Sequence, residues 1–216
     1  FTKRTGGVSH GAFASLNLGT HVGDVLEDVL RNREILSASV GPTQYMNQVH
    51  GDRIALIEEV TDEVPTADAL VTGIPGIALA VMVADCIPLL LTSKQSVAAV
   101  HVGRRGLVNE ITRKTLSVMR DMGASQITAI IGPAICGSCY EVSEDVYQEV
   151  VQAHPFAQST TTKGTLALDL PAALRSVLSD EGVAIVNKFT CTVESSDYFS
   201  YRRDGVTGRQ AGVISL

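Results

Sequence analysis

The chain has 216 residues, 45% of them hydrophobic and 19% charged, with a formal net charge of −6. That length and balance suit one large core. The charge excludes a non-specific nucleic-acid binder, and no run reaches the roughly 18 uncharged apolar residues of a membrane span. The four cysteines are too sparse for a disulfide scaffold. They read as reduced thiols of a cytoplasmic protein, and no stretch reads as a signal peptide.

In chain order, residues 1–23 are rich in Gly, Ser and Asn and read as a short strand followed by a long loop. Arg4, Ser9, His10, Asn17 and His21 offer polar groups there, either to a ligand or only to the turns of a wrapping segment. Asp24 opens a helix, with Glu27 completing a carboxylate capping box. Val25, Val29 and Leu36 form its apolar stripe, and Gly41 and Pro42 stop it. The stretch YMNQVHG, residues 45–51, places His50 ahead of a strand over residues 53–58, with the amides of Asn47 and Gln48 beside it. Residues 61–66 are a loop, 67–72 a short strand and 73–76 a turn.

The central stretch, residues 77–106, contains three apolar runs with the length and β-branching of buried strands: 77–84, 88–92 and 96–102. Residues 92–95 read as a hairpin loop. Asp85 and Cys86 end the first run, and His101 lies near the end of the third, so the hairpin brings them together. Polar groups at the ends of buried strands cost free energy unless paired. One reading is a hydrogen-bonded core histidine and an inert buried cysteine. Counted with His50, the alternative is a zinc set of two imidazoles and one thiolate. Its fourth position is open, as in catalytic rather than structural zinc sites.

Gly103 to Gly106 form a turn with Arg104 and Arg105, followed by a helix through residue 123. That geometry suits an anion at the helix N-terminus, or a basic turn that merely caps the sheet. A strand follows over 126–131. Cys136 and Cys139 form a C-x-x-C pair, the pattern of a redox couple or of half a metal site. With no second pair and only Cys191 as a further partner, they are expected to carry no catalytic metal and to form no disulfide. Ser143 caps a helix reaching about Ala153. Residues 154–164 read as a surface loop and 166–168 as a strand. Asp169 caps a helix with Pro171 in its first turn, and 184–187 form a strand. Tyr198, Phe199, Tyr201, Arg202 and Arg203 make an aromatic-basic cluster that either stacks on a ring or packs at an edge. A last strand runs over 209–216. Residues 1–216 read as one α+β domain with a buried sheet core covered by helices.

The segments FTKRTGGVSHGAFASLNLGTHVGD, NQVHG, ADALVT, ADCIPLLL, AAVHVGRRGL, IGPAICGSCYEV, LDL and FSYRRDGVTGR follow, in order, the pattern of a known family. The chain resembles the bacterial laccase-domain family, also described as polyphenol oxidoreductases, peptidoglycan editing factors, and purine nucleoside phosphorylases with adenosine deaminase activity. The resemblance implies a layered α/β/β/α sandwich akin to the cytotoxic necrotizing factor catalytic domain. It also implies metal ligands at His50, Cys86 and His101. The family usually has a Trp where this chain has Arg104, a change at the pocket rim, while Arg105 holds the position of the usual Arg.

From the resemblance, the first expected function is a zinc enzyme that phosphorolyses adenosine, inosine, guanosine and methylthioadenosine and deaminates adenosine. Asp85 is its nearest carboxylate for proton transfer. Arg4, Arg105 and the helix N-terminus after Gly106 supply a phosphate site, and Asn17, Asn47 and Gln48 supply polar substrate contacts. The second is a peptidoglycan-editing amidase acting on a misloaded nucleotide-linked muramyl peptide, with Cys86 as nucleophile or zinc activating water. The third is a copper polyphenol oxidase, for which one His–Cys–His set offers too few ligands. A non-enzymatic zinc-stabilised module is disfavoured by the open coordination position.

Overall fold

The computed structural model describes residues 1–216. In chain order the elements are α1 (Leu26–Val40), β1 (Thr43–Gln44), β2 (Ile54–Leu56), β3 (Ala69–Thr72), β4 (Ala78–Val83), β5 (Ile87–Thr92) and β6 (Val97–Val102). Then come α2 (Arg104–Val108), α3 (Ile111–Asp121), β7 (Thr128–Ile131), α4 (Glu144–Ala153), β8 (Gln158–Thr160) and β9 (Leu166–Leu168). The chain closes with α5 (Leu170–Asp180), β10 (Ala184–Asn187), α6 (Tyr201–Asp204) and β11 (Gln210–Ser215).

The strands form a mixed six-stranded sheet in the order β10-β7-β5-β6-β3-β2, a three-stranded sheet in the order β1-β4-β11, and a small β8-β9 pair. Side chains on a strand alternate between its faces, and burial follows that alternation. Leu79, Val81 and Val83 of β4 pack with Leu70, Leu90, Val97 and Ala99 between the two sheets. Ala80 and Met82, on the opposite face of β4, meet Leu36 of α1 and Tyr45. Ile87, Leu89, Leu91, Val100 and Val102 pack instead against Ile111, Leu116 and Met119 of α3 and Leu174, Val177 and Leu178 of α5. The layers therefore run α1, three-stranded sheet, six-stranded sheet, helices: the expected α/β/β/α sandwich.

The hairpin of β5 and β6 pairs Ile87 with Val102 and Pro88 with His101, which puts Cys86 and His101 at one end of the sheet. His101 shares parity with Val97 and Ala99 and so faces the space between the sheets, at its open end. The apolar run before Cys86 belongs to the other sheet, so the turn at Asp85 and Cys86 crosses from one layer to the next.

Several local expectations are corrected. No strand forms at the N-terminus, although Thr2 N donates to Ala211 O at 2.8 Å. The first helix starts at Leu26 without a side-chain cap. The Asp24 carboxylate is instead taken by Ser9 Oγ at 2.6 Å and Asn17 Nδ2 at 2.8 Å, so a tertiary demand wins over the cap. The helix expected after Gly106 begins at Arg104 and is split in two by Glu110, which sits in the left-handed region at φ 59°. Ser143 stands at the N-cap position of α4 without a side-chain cap bond, whereas Asp169 caps α5 by accepting from Ala172 N. The loop read over 154–164 contains β8.

At the C-terminus of α5, Glu181 accepts from Arg113 Nη1 at 2.5 Å and Arg120 Nη1 at 2.6 Å, both on α3. Arg120 and then Arg113 hold its carboxyl below the usual range, against the opposing effect of burial. A carboxyl depressed by folding contributes stability above its unfolded value and loses it as pH falls through the folded one. Glu181→Gln should therefore lower stability by about 1 kcal/mol near neutral pH. Urea unfolding should find the difference shrinking as pH falls below the ordinary carboxylate range.

Candidate metal centre

His50, Cys86 and His101 converge, with their donor atoms within 4.8 Å of one another. Cys86 Sγ lies 3.7 Å from His50 Nε2. The two imidazole rings stand edge-on, 4.6 Å between centroids. His101 is buried at the end of β6, Cys86 is half-buried and His50 is exposed, so the centre is anchored on one side and open on the other. Gly103 closes the back: a Cβ there would sit 3.0 Å from His50 Cδ2 and 3.1 Å from Cys86 Sγ.

Asp68, fully buried at the start of β3, organises this geometry. Its Oδ1 accepts from His101 Nδ1 at 2.8 Å and from His50 N at 2.9 Å. Its Oδ2 accepts from Gly51 N at 2.7 Å and Val49 N at 3.3 Å. One carboxylate thus orients the imidazole of one donor and holds the backbone of another, with His50 at φ 58°. Engaging Nδ1 leaves His101 Nε2 for a metal, the carboxylate–histidine support usual around such ions. Asp68 was not singled out from the sequence. The available signal was a lone carboxylate in the apolar run ADALV, which burial obliges to pair.

The charges agree. Burial pushes the Cys86 thiol up, but His101 and His50 outweigh it and bring it well below its ordinary value. Burial pulls His101 down, while the Cys86 thiolate and the Asp68 carboxylate raise it above the ordinary imidazole range. Cys86 is therefore a thiolate near neutral pH, the form that both metal binding and nucleophilic attack require. Two imidazoles and a thiolate backed by a carboxylate fit zinc, with one tetrahedral position left open.

The centre opens into a cleft of about 450 Å³ at the mouth between the sheets. Arg104, Tyr140, Tyr201, Arg202 and Arg209 stand around it, with Gln48, His21 and Asp85 on its walls. Arg104, where the family pattern has a Trp, pairs with Glu149 Oε2 at 2.5 Å on the rim. Arg202 stacks 5.2 Å over the Tyr140 ring and bonds Glu141 O at 2.8 Å. Of the aromatic-basic cluster, Tyr201 and Arg202 face the cleft. Phe199 is fully buried, and Arg203 donates to the carbonyls of Thr192, Val193, Ser195 and Tyr198.

Other sequence-selected residues take different places. Arg4 lies outside the cleft lining, bonded to Ala14 O at 3.1 Å and 5.0 Å over the Phe199 ring. Asn17 is fully buried and spends its amide on Asp24, Gly19 and Arg209 N. Asn47 is exposed and bonds Thr66 Oγ1. Gln48 reaches the cleft, but its amide is clamped to Met82 O at 2.7 Å and Met82 N at 2.8 Å. Of these four, only Gln48 lines the cleft, as part of its wall. Arg105 is exposed in a neighbouring hollow that also touches His50 and Cys86. Asp85 lines the cleft at φ 94°, with Oδ1 accepting from Thr192 Oγ1 at 2.6 Å and Oδ2 from Arg202 N at 2.7 Å. Its first service is to tie two loops. Arg104, Arg202 and Arg209, rather than Arg4, line the cleft around the centre.

A layered mixed α/β fold with an open His–Cys–His set at the mouth between its sheets defines a protein with a candidate metal centre. The chain belongs to the family described as multi-copper polyphenol oxidoreductase laccase, which matches residues 1–216. It is 44% identical to a protein of Corynebacterium glutamicum named purine nucleoside phosphorylase, over 100% of this chain and 93% of that one. A protein of the same name in Streptomyces coelicolor is also 44% identical, over 100% and 94% of the two chains. Among solved structures, protein NMB0706 of Neisseria meningitidis superposes with a TM-score of 0.91 at 42% identity, covering 100% of this chain and 92% of that one. YlmD of Geobacillus stearothermophilus gives 0.89 at 34% identity, covering 99% and 89%. No helix is long and apolar enough to cross a membrane.

Proposed function

We propose that this chain is a zinc-dependent purine nucleoside phosphorylase that also deaminates adenosine. The observation that carries the reading is the open His50–Cys86–His101 set on the floor of a cleft ringed by Arg104, Arg202 and Arg209. The names of the relatives support the phosphorylase part of this reading. A zinc ion held by the three residues would supply Lewis-acid charge stabilisation. In phosphorolysis a phosphate oxygen forms a bond to C1′, the C1′–N9 bond breaks, and the purine leaves with the bonding pair and takes up a proton. The guanidinium groups hold the phosphate and neutralise its charge. Tyr140 and Tyr201 offer flat faces to the base, and burial raises the Tyr140 phenol, which keeps it a proton donor. In deamination a water oxygen bonds to C6 of adenine and ammonia leaves. Each Asp85 oxygen keeps a second lone pair, and we assign proton transfer to this carboxylate. Adenosine, inosine, guanosine and methylthioadenosine are the proposed substrates. The α2 helix is too short to act as an anion site by its dipole, so phosphate binding rests on side chains.

The test is a nucleoside panel with metal-replete protein, with and without phosphate. Base release that requires phosphate supports the reading, and base release independent of phosphate sinks it. Metal analysis of the same sample distinguishes zinc from copper. Arg202→Ala should raise the KM for phosphate about tenfold, the loss of one charge-assisted hydrogen bond, with a smaller change in the KM for nucleoside.

A second reading is favoured by one observation. The Cys86 thiolate beside His50, 3.7 Å away, is also the pair of a cysteine hydrolase. Such an enzyme would cleave an amide of a nucleotide-linked muramyl peptide, the substrate class of peptidoglycan editing.

A further inference from the structure

A second donor cluster lies behind the Asp85 turn, and the proposed reaction does not use it. Cys136 and Cys139 stand in the segment after β7, where Cys139 N and Tyr140 N both donate to Cys136 O at 3.1 Å. This turn holds both thiols on one side. Gly137 is required within it, because a Cβ there would come within 2.7 Å of Ser159 Oγ and 2.8 Å of Asp169 Cβ. Cys191 arrives from the segment after β10. Ala134 N donates to Thr190 O at 3.1 Å and Thr192 N to Ala134 O at 3.0 Å, which lays the two segments side by side. Ser195 N then donates to Cys191 O at 3.0 Å, a turn that folds Glu194 back over the thiols.

The three Sγ atoms and a Glu194 carboxylate oxygen lie within 4.8 Å of one another. Glu194 Oε1 is 3.8 Å from Cys136 Sγ and 3.7 Å from Cys139 Sγ. In tetrahedral zinc coordination, sulfur–sulfur separations are about 3.8 Å and sulfur–oxygen separations about 3.5 Å. The two carboxylate–sulfur separations are thus within a few tenths of an ångström of those in a zinc tetrahedron, and no sulfur–sulfur separation exceeds 4.8 Å. All the cysteines are free thiols, and Cys136 and Cys139 are only half-buried, so hydrophobic packing does not explain their meeting. The sequence offers only Cys191 as a further partner for the pair; the fold adds Glu194 as the fourth donor.

We propose that Cys136, Cys139, Cys191 and Glu194 bind a second zinc ion. Four protein donors close its coordination, so the ion is structural rather than catalytic. Exposed Glu194 leaves it an entry path. Its effect reaches the cleft through short links. Thr192, next to Cys191, donates to Asp85 Oδ1, and Asp85 Oδ2 accepts from Arg202 N. Ile135 N, next to Cys136, donates to Asp85 O at 2.9 Å. The ion clasps the segment that places Tyr201 and Arg202 on the cleft wall.

The experiment starts from reduced, chelator-stripped wild-type chain, titrated with zinc alone and then alkylated, with the modification of each cysteine mapped by mass spectrometry. Expected is protection of Cys136 and Cys139 together, at a zinc stoichiometry one ion per chain greater than protection of Cys86 alone requires. Cys191→Ser should bind one zinc fewer and leave zinc protection of Cys86 intact. The wild-type measurement stands even if that variant fails to fold. Alkylation of Cys136 and Cys139 that zinc does not change overturns the proposal, as does a Cys136–Cys139 disulfide in chain isolated under reducing conditions. Cys86 reports the first centre separately. Protection of Cys136 and Cys139 without Cys86 would uphold this site and remove the other.

Discussion

Cys86→Ser is expected to remove zinc from the cleft and nucleoside turnover together. A serine hydroxyl is a poor replacement for a thiolate, and His50 and His101 alone hold zinc weakly. The ion contributes several kcal/mol of charge stabilisation at the reacting centre, so turnover should fall on the order of 10³-fold. Excess zinc should restore part of both. The amidase reading predicts a different pattern. If Cys86 is a nucleophile, the serine variant keeps its cleft zinc on the two imidazoles and loses activity completely. A thiol reagent would then trap the wild-type enzyme stoichiometrically near neutral pH, where the neighbouring histidines keep Cys86 ionised. Zinc content and activity measured on the same variant separate the readings. Full cleft occupancy with no turnover would move the cysteine hydrolase to first place.

Asp68→Asn is the second large effect. The native carboxylate accepts four hydrogen bonds, from His101 Nδ1 and the backbone N–H groups of Val49, His50 and Gly51. An amide has one oxygen and one NH2 group, so at least one buried donor would face another donor. His101 would lose the partner that sets its tautomer, and the backbone turn carrying His50 would lose its tie to β3. Zinc affinity at the cleft should fall about 10–100-fold. Stability should fall by about 3 kcal/mol, as for a broken buried pair. Competition with a chelator measures the first and urea unfolding the second. Unchanged zinc affinity would mean that His101 and His50 hold their positions without Asp68, contrary to the geometry.

What the sequence determined by itself was local or nearly so. Strand runs 77–84, 88–92 and 96–102 follow from β-branched apolar stretches, and each was found within a residue or two. The short 92–95 loop brings Cys86 and His101 together because a hairpin's register is set by its turn. Asp169 caps α5 because an acidic side chain directly before a helix with a proline in its first turn has its partner within that turn. The layered arrangement came from the family resemblance rather than from periodicity.

Tertiary structure alone decided the rest, because the partners lie on different segments of the chain and only the packing of layers brings them together. His50 joins the centre through Asp68, 18 residues away. Asp24 leaves its helix to serve Ser9 and Asn17, since a buried amide without a partner costs more than an uncapped, exposed helix end. Arg4 and Asn17 carry chemistry suited to a ligand, but the fold turns them to structural bonds, and it turns Arg202 and Arg209 to the cleft. Cys136 and Cys139 look half-complete as a C-x-x-C pair. Cys191 and Glu194 complete the cluster only when the segments after β7 and β10 run side by side. Residue type and spacing name the donors a chain can offer; which of them meet is settled by contacts between distant segments.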